Sequence, residues 1–122
     1  MKRRILIVDD EEGIRRIFVD ALSEAGYEVR PAGSSSEALR LVGEETFHLV
    51  LLDLSLPDSK GLDLLKSLRG MAPDLPVMIL TGLPLEKKLV SEAKAAGARE
   101  FISKTNSLVY VLEKMERFFS YG

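Results

Sequence analysis

The sequence predicts an α/β domain built on a five-stranded parallel sheet, doubly wound, with helices on both faces. Short apolar runs alternate strictly with longer segments whose apolar residues recur three and four apart, the patterns of strand and helix in turn. The runs are continuous rather than alternately polar, as in strands buried on both faces. At 122 residues and 46% hydrophobic the chain has material for one core, so residues 1–122 are read as a single domain. Right-handed crossovers between parallel strands leave few other ways to fold such an alternation.

The first strand is expected at residues 5–8. The helix after it is striped by Ile14, Ile17, Phe18, Ala21, Leu22 and Ala25, with Asp10 as N-cap and Gly26 as left-handed terminator. A second strand at 27–30 precedes a helix through Ala38, Leu41 and Val42, opened by a capping box of Ser34 and Glu37. The third strand, 48–52, is followed by a helix striped by Leu62, Leu65 and Leu68 that ends near Gly70. The fourth, 77–80, is followed by a helix with Leu85, Leu89, Ala93 and Ala96, closed by Gly97. The fifth, 101–103, leads to a cap at Thr105 or Asn106 and a helix carrying Leu108, Val111, Leu112, Met115 and Phe118. Val109, Tyr110 and Phe119 widen that last apolar face, as surface scatter or as a docking or dimer surface.

Composition excludes several functions. Lys and Arg number 17 and Asp and Glu 19, a formal charge of −2, so the basic excess that drives sequence-independent nucleic-acid binding is missing. With no Cys and one His, there is no disulfide scaffold, no Cys/His zinc site and no cysteine nucleophile. His48 opens the third strand and is expected to be structural or at the surface. No stretch is apolar for the length of a membrane span, and the apolar start breaks into Asp9-Asp10-Glu11-Glu12 too early for a signal peptide. A cytoplasmic location with no membrane association is expected.

Doubly wound sheets bind ligands at the carboxyl ends of their strands. Here those ends carry Asp9-Asp10, Asp53, Thr81 and Ser103-Lys104. Each residue has an ordinary reading: helix capping for Asp9 to Glu12, an Asx-turn for Asp53, turn chemistry for Thr81, a solvated side chain for Lys104. Together they say more. Carboxylates converging on one crevice repel one another unless a cation shares the site, and a hard, oxygen-liganded ion such as Mg²⁺ suits a few carboxylates plus water. A carboxylate held between a metal and a lysine is a competent nucleophile toward phosphorus. Lys104 and the metal would neutralise the phosphoryl oxygens, and Thr81 would donate a hydrogen bond to one.

Four stretches carry a family likeness: Ile5-Leu6-Ile7-Val8-Asp9-Asp10-Glu11, Asp53-Leu54-Ser55-Leu56-Pro57-Asp58-Ser59-Lys60-Gly61, Ile79-Leu80-Thr81-Gly82 and Gly97-Ala98-Arg99-Glu100-Phe101-Ile102-Ser103-Lys104. In this order and spacing they resemble the receiver domain of bacterial two-component response regulators, over essentially the whole chain. The resemblance implies the flavodoxin-like (βα)5 receiver fold and a phosphoryl group accepted by Asp53 from a histidine kinase or phosphotransfer protein. It implies Asp10 as the principal metal carboxylate, Asp9 acting mostly through water, and the backbone carbonyl of Ser55 completing a site for Mg²⁺ or another divalent cation such as Mn²⁺. Lys104 would hold the phosphoryl group, Thr81 would move toward it, and Phe101 would turn inward behind Thr81. The readout would be a population shift on the surface of helix four, strand five and helix five, met by a downstream effector, an attached output domain or a second copy. Pro57 and Gly61 would shape the loop after Asp53, and Ser55 and Leu83 would tune how long the phosphoryl group survives. No enzymatic turnover beyond self-phosphorylation and self-dephosphorylation is expected.

Two positions depart from the family pattern. Thr105 follows the site lysine where proline is common, and Phe101 stands for the commoner tyrosine, so packing rather than a hydroxyl would separate its two positions. The first departure keeps open a receiver that no longer takes phosphate. An Asp-nucleophile phosphatase would place its Asp-x-Asp after the first strand, whereas Asp53 follows the third with Ser55 two residues on. A flavin or nucleotide module needs a phosphate-cradling loop where Asp9 to Glu12 stand.

Overall fold

The computed structural model describes residues 2–54, 56, 61–82, 86–104 and 106–121, Tyr121 by its backbone alone. Along the chain run β1 (Arg4–Val8), α1 (Glu12–Glu24), β2 (Glu28–Ala32), α2 (Ser35–Glu44), β3 (Leu49–Asp53), α3 (Gly61–Met71), β4 (Val77–Thr81), α4 (Lys87–Ala95), β5 (Ala98–Ser103) and α5 (Leu108–Tyr121). The strands form one parallel sheet in the order β2-β1-β3-β4-β5, the flavodoxin-like (βα)5 arrangement that the alternation and the resemblance predict.

Successive strand residues point to opposite faces, which produces two apolar layers. Leu6, Val8, Val50, Leu52, Val77 and Ile79 pack with Ala38, Leu41, Leu62, Leu65, Leu68 and Ala93, so α2, α3 and α4 cover one face. Ile5, Ile7, Leu49, Leu51, Met78 and Leu80 pack with Phe18, Leu22, Val111 and Met115, so α1 and α5 cover the other. Full burial of each Val, Leu, Ile, Phe or Met side chain among them contributes about 1.5–3 kcal/mol, and this double layer keeps the strand ends in fixed register. His48 serves the start of β3: its amide donates to the Arg4 carbonyl and its Nδ1 accepts from the Arg4 amide, both at 2.8 Å. That is the structural role expected of it.

Several boundaries differ from the sequence pattern. β2 runs through Pro31 to Ala32, because at the edge of the sheet a residue without an N–H is tolerated. β5 begins at Ala98, and its register against β4 steps from Val77–Ala98 to Met78–Glu100, passing over Arg99. This irregular, polar opening of an edge strand has no apolar run to announce it.

Asp10 is not the N-cap of α1. That position is Glu11, which makes no side-chain cap; its amide donates to the Asp9 carboxylate. Ile17 is about half exposed rather than part of the core stripe. Ser34 does cap α2, accepting from the Glu37 amide at 3.2 Å. α5 is capped by Ser107, whose Oγ accepts from the Tyr110 amide, instead of by Asn106; Thr105 lies outside the described residues, as does Leu85 of the α4 stripe. Phe119 packs with the core layer beside Tyr27, ring centres 5.9 Å apart, so only Val109 and Tyr110 of the outward trio are exposed. Gly26 and Gly97 both stand at φ +100° as helix terminators.

Candidate active site

β1 lies between β2 and β3, so the chain leaves it in opposite directions at this point of the sheet and a crevice opens beyond its carboxyl end. Val8 pairs with Leu52 across the two central strands, which brings Asp9 and Asp53 side by side at that edge. Each of Asp9, Asp10 and Asp53 presents a carboxylate oxygen within 4.8 Å of the others. Asp9 is fully buried, Asp53 nearly so, and Asp10 is exposed.

Lys104 arrives from the end of β5, its side chain only 13% exposed. Its amide donates to the Thr81 carbonyl at 2.7 Å, tying the loop after β5 to the end of β4. Its Nζ lies 2.9 Å from Asp53 Oδ2, 2.7 Å from Asp9 Oδ2 and 3.7 Å from Glu11 Oε1. Burial pulls the ammonium down, and its close contacts with the carboxylates of Asp9 and Asp53 more than reverse this, so its net shift is upward. The lysine is charged throughout the physiological range.

Asp9 is held on every side by the chain. Its amide donates to the Ala32 carbonyl at 3.1 Å, its Oδ1 accepts from the Glu11 amide at 2.9 Å, and its carbonyl accepts from Arg15 Nη1 at 2.7 Å. Its Oδ2 is a buried oxygen without an aligned hydrogen-bond donor; Lys104 meets it as a close ion pair off the hydrogen-bond direction. Burial pushes the Asp9 carboxyl up, opposed by Lys104 and the Glu11 amide and helped by the charge of Asp53. An oxygen so placed, with two more carboxylates in reach, is the donor set of a hard cation, and this acidic cluster is able to coordinate a divalent one.

Gly61 shapes the approach to Asp53 from the other side. Its amide donates to the Leu54 carbonyl at 2.9 Å, and a Cβ built on it would lie 2.3 Å from Leu54 Cα, so no other residue fits there. At Gly82 an added Cβ would meet only Lys104 Cδ at 3.6 Å, ordinary contact. Thr81 is half-buried at the end of β4, in register with Ser103. Phe101 is half-buried as well, packed in the layer that α4 covers. Ser55, Pro57 and Leu83 lie outside the described residues, as does the Lys104–Thr105 peptide. Two residues at the site were given no role there by the sequence pattern: Glu11, read as a helix-start acid and as part of the first family stretch, and Arg15, an ordinary polar position between the apolar residues of α1.

Comparison with known proteins agrees with this geometry. A model of the response regulator receiver domain matches residues 5–116. The DNA-binding transcriptional regulator NtrC of Azospirillum brasilense is 33% identical over 93% of this chain, which spans 23% of that regulator's length. A CheY-like receiver domain protein from Methanospirillum hungatei superposes with a TM-score of 0.94 at 31% identity, covering 99% of this chain and 96% of that one. The response regulator TrrA of Thermotoga maritima, in complex with Mg²⁺ and BeF, superposes at 0.82 with 31% identity over 94% and 97% of the two chains. With its acid cluster at the β1–β3 crevice, this chain belongs to the receiver domains of two-component response regulators, phosphoacceptor domains that catalyse only their own phosphorylation and dephosphorylation.

Proposed function

We propose that Asp53 is the phosphoacceptor of this domain. The observation that carries the reading is the position of Lys104, bridging Asp53 and Asp9 at 2.9 and 2.7 Å inside a crevice with three converging carboxylates. In the forward step a carboxylate oxygen of Asp53 attacks phosphorus, the P–O bond forms, and the bond to the donor breaks with its electron pair leaving on the donor nitrogen. Lys104 stands where it neutralises a phosphoryl oxygen, and Thr81 is within one strand of supplying a hydroxyl to another. Hydrolysis reverses the attachment when water attacks phosphorus and the Asp53 carboxylate departs. Asp9, Asp10 and Asp53, with the Ser55 carbonyl, would hold Mg²⁺, which when bound supplies charge neutralisation for the phosphoryl oxygens.

The donor is a histidine kinase or phosphotransfer protein, and the lone histidine of this chain, committed to the β1–β3 edge, does not compete for that role. Occupancy of Asp53 draws Thr81 toward the phosphoryl group and Phe101 into the space it vacates, shifting the population at the α4-β5-α5 surface. Val109 and Tyr110, 63% and 40% exposed, give that surface an apolar patch for an effector, an attached output domain or a second copy. The whole of residues 1–122 acts as this one unit, in the cytoplasm; among the described residues no helix is long and apolar enough to cross a membrane.

Incubation with acetyl phosphate and Mg²⁺, followed by intact mass, tests the reading. One base-labile phosphoryl group is expected on the wild type and none on Asp53→Asn. A wild type that gains no mass under any Mg²⁺ or donor condition overturns it.

A further inference from the structure

We propose that Arg15 is a positioning residue for the metal carboxylate Asp9, an inference that rests on the site assignment above. The backbone of Asp9 has two polar groups, and the chain anchors them separately: the amide on Ala32 at 3.1 Å, the carbonyl on Arg15 Nη1 at 2.7 Å. The loop after β1 is therefore clasped between β2 on one side and a guanidinium on the other. Arg15 sits in the first turns of α1, its own amide bonded to the Glu11 carbonyl at 3.0 Å, and the Glu11 amide in turn holds Asp9 Oδ1 at 2.9 Å. Backbone and side chain of Asp9 are thus fixed from one helix start, and Oδ2 is the oxygen that faces Lys104 Nζ, 2.7 Å away.

Gly33 supports the placement. A Cβ there would lie 3.1 Å from Arg15 Nη1 and 3.3 Å from its Cζ, so the guanidinium rests flush against the loop after β2. The other side of Arg15 borders an open groove of about 360 Å³, lined by Glu12, Arg16, Val19, Asp20 and Pro31. Water can fill the space of a truncated side chain there, so substitution leaves the core intact.

The sign of the effect separates positioning from charge. A cation beside a Mg²⁺ site repels the metal, so charge alone says that removing Arg15 tightens Mg²⁺ binding. Positioning says that it loosens, as loss of an outer support for a ligand generally does. Arg16 is the matched control: the same charge one residue on, 75% exposed, paired only with Glu12 at 3.7 Å among the described residues.

Titration calorimetry of Mg²⁺ into wild type, Arg15→Ala, Arg16→Ala and Gly33→Ala, at one ionic strength and well below the unfolding temperature of each, is the test. Arg15→Ala is expected to raise the Mg²⁺ Kd about tenfold. Gly33→Ala, which keeps the arginine but crowds it, should lose less in the same direction, and Arg16→Ala should hold the wild-type Kd or fall below it. Should Arg15→Ala not fold, weakened binding by Gly33→Ala supports the proposal and an unchanged Kd overturns it. Equal or tighter binding by a folded Arg15→Ala overturns the inference alone. A wild type that binds no Mg²⁺ removes the site assignment and the inference together.

Discussion

The two ends of the sheet use the same residue types to opposite effect. At the amino ends of the strands, Arg4 lies 2.8 Å from Glu28 and 3.1 Å from Glu45, and Arg30 lies 3.3 Å from Glu45, two guanidiniums against two carboxylates. Nearby, Arg69 donates to the carbonyls of Pro73, Leu75, Ala96 and Gly97, closing the exits of α3 and α4. At the carboxyl ends, one ammonium meets the carboxylates of Asp9, Asp53 and Glu11, and Asp10 joins the same acid cluster. In the first of these ion-pair clusters the two signs balance. The second carries an excess of negative charge, part of it buried, which costs stability in the metal-free state and attracts a cation. Stability and function are thus divided between the two ends of one sheet.

The sharpest way to break the site end is steric. Gly61→Ala places a methyl 2.3 Å from Leu54 Cα and 2.6 Å from its carbonyl oxygen, contacts that no rotamer relieves. The loop behind Asp53 or the start of α3 must move, and a cost of about 3 kcal/mol is expected together with loss of phosphorylation. Chemical denaturation and the acetyl phosphate reaction measure both. A Gly61→Ala variant with wild-type stability would mean that the site end is held less tightly than its geometry says.

At the opposite end the expected effect is smaller and confined to stability. Arg69→Met removes the donor to four carbonyls while keeping an apolar stem, for a loss of about 2 kcal/mol. Mg²⁺ affinity and phosphorylation of the folded variant should match the wild type. A change in either would show that the two ends are coupled and that the division between them is incomplete.

The same division explains what the sequence made legible. The central strands β1, β3 and β4 are continuous apolar runs, and the residue that ends each run stands at the crevice, so Asp9, Asp53 and Thr81 could be placed from pattern alone. The edge strands were harder: β2 continues through a proline and β5 opens on Ala98-Arg99-Glu100, because an edge needs neither every amide nor every apolar side chain. Asp10 looked like a helix cap because acids are common there, but α1 starts one residue later, with Glu11 at the N-cap. Arg15 and Arg69 act through backbone carbonyls, contacts that no spacing of residue types announces. Lys104, unremarkable as a lone lysine, became informative only with the acids that the fold gathers around it.

The finest test of the contrast sets one carboxylate from each end against pH, in metal-free buffer. Burial raises the Asp9 carboxyl, so the folded state binds its proton more readily than the unfolded chain and the ionised group costs stability at neutral pH. Asp9→Asn should therefore stabilise the protein at pH 7, by about 1 kcal/mol, as replacing a functional acid commonly does. The gain should shrink as pH falls through the raised Asp9 value toward the ordinary carboxylate range, and Mg²⁺ should stabilise this variant less than the wild type. Glu28 is lowered by its hydrogen bond to Arg4 at 2.8 Å, so it contributes stability above its unfolded value that is lost as pH falls through the lower folded one. Glu28→Gln should accordingly destabilise slightly at pH 7, with the deficit closing only at more acidic pH than the Asp9→Asn gain. Thermal unfolding of the three proteins across pH reads both differences. If Asp9→Asn lowers stability at neutral pH, Lys104 offsets the buried charge as fully as Arg4 offsets Glu28, and the two ends of the sheet are electrically alike.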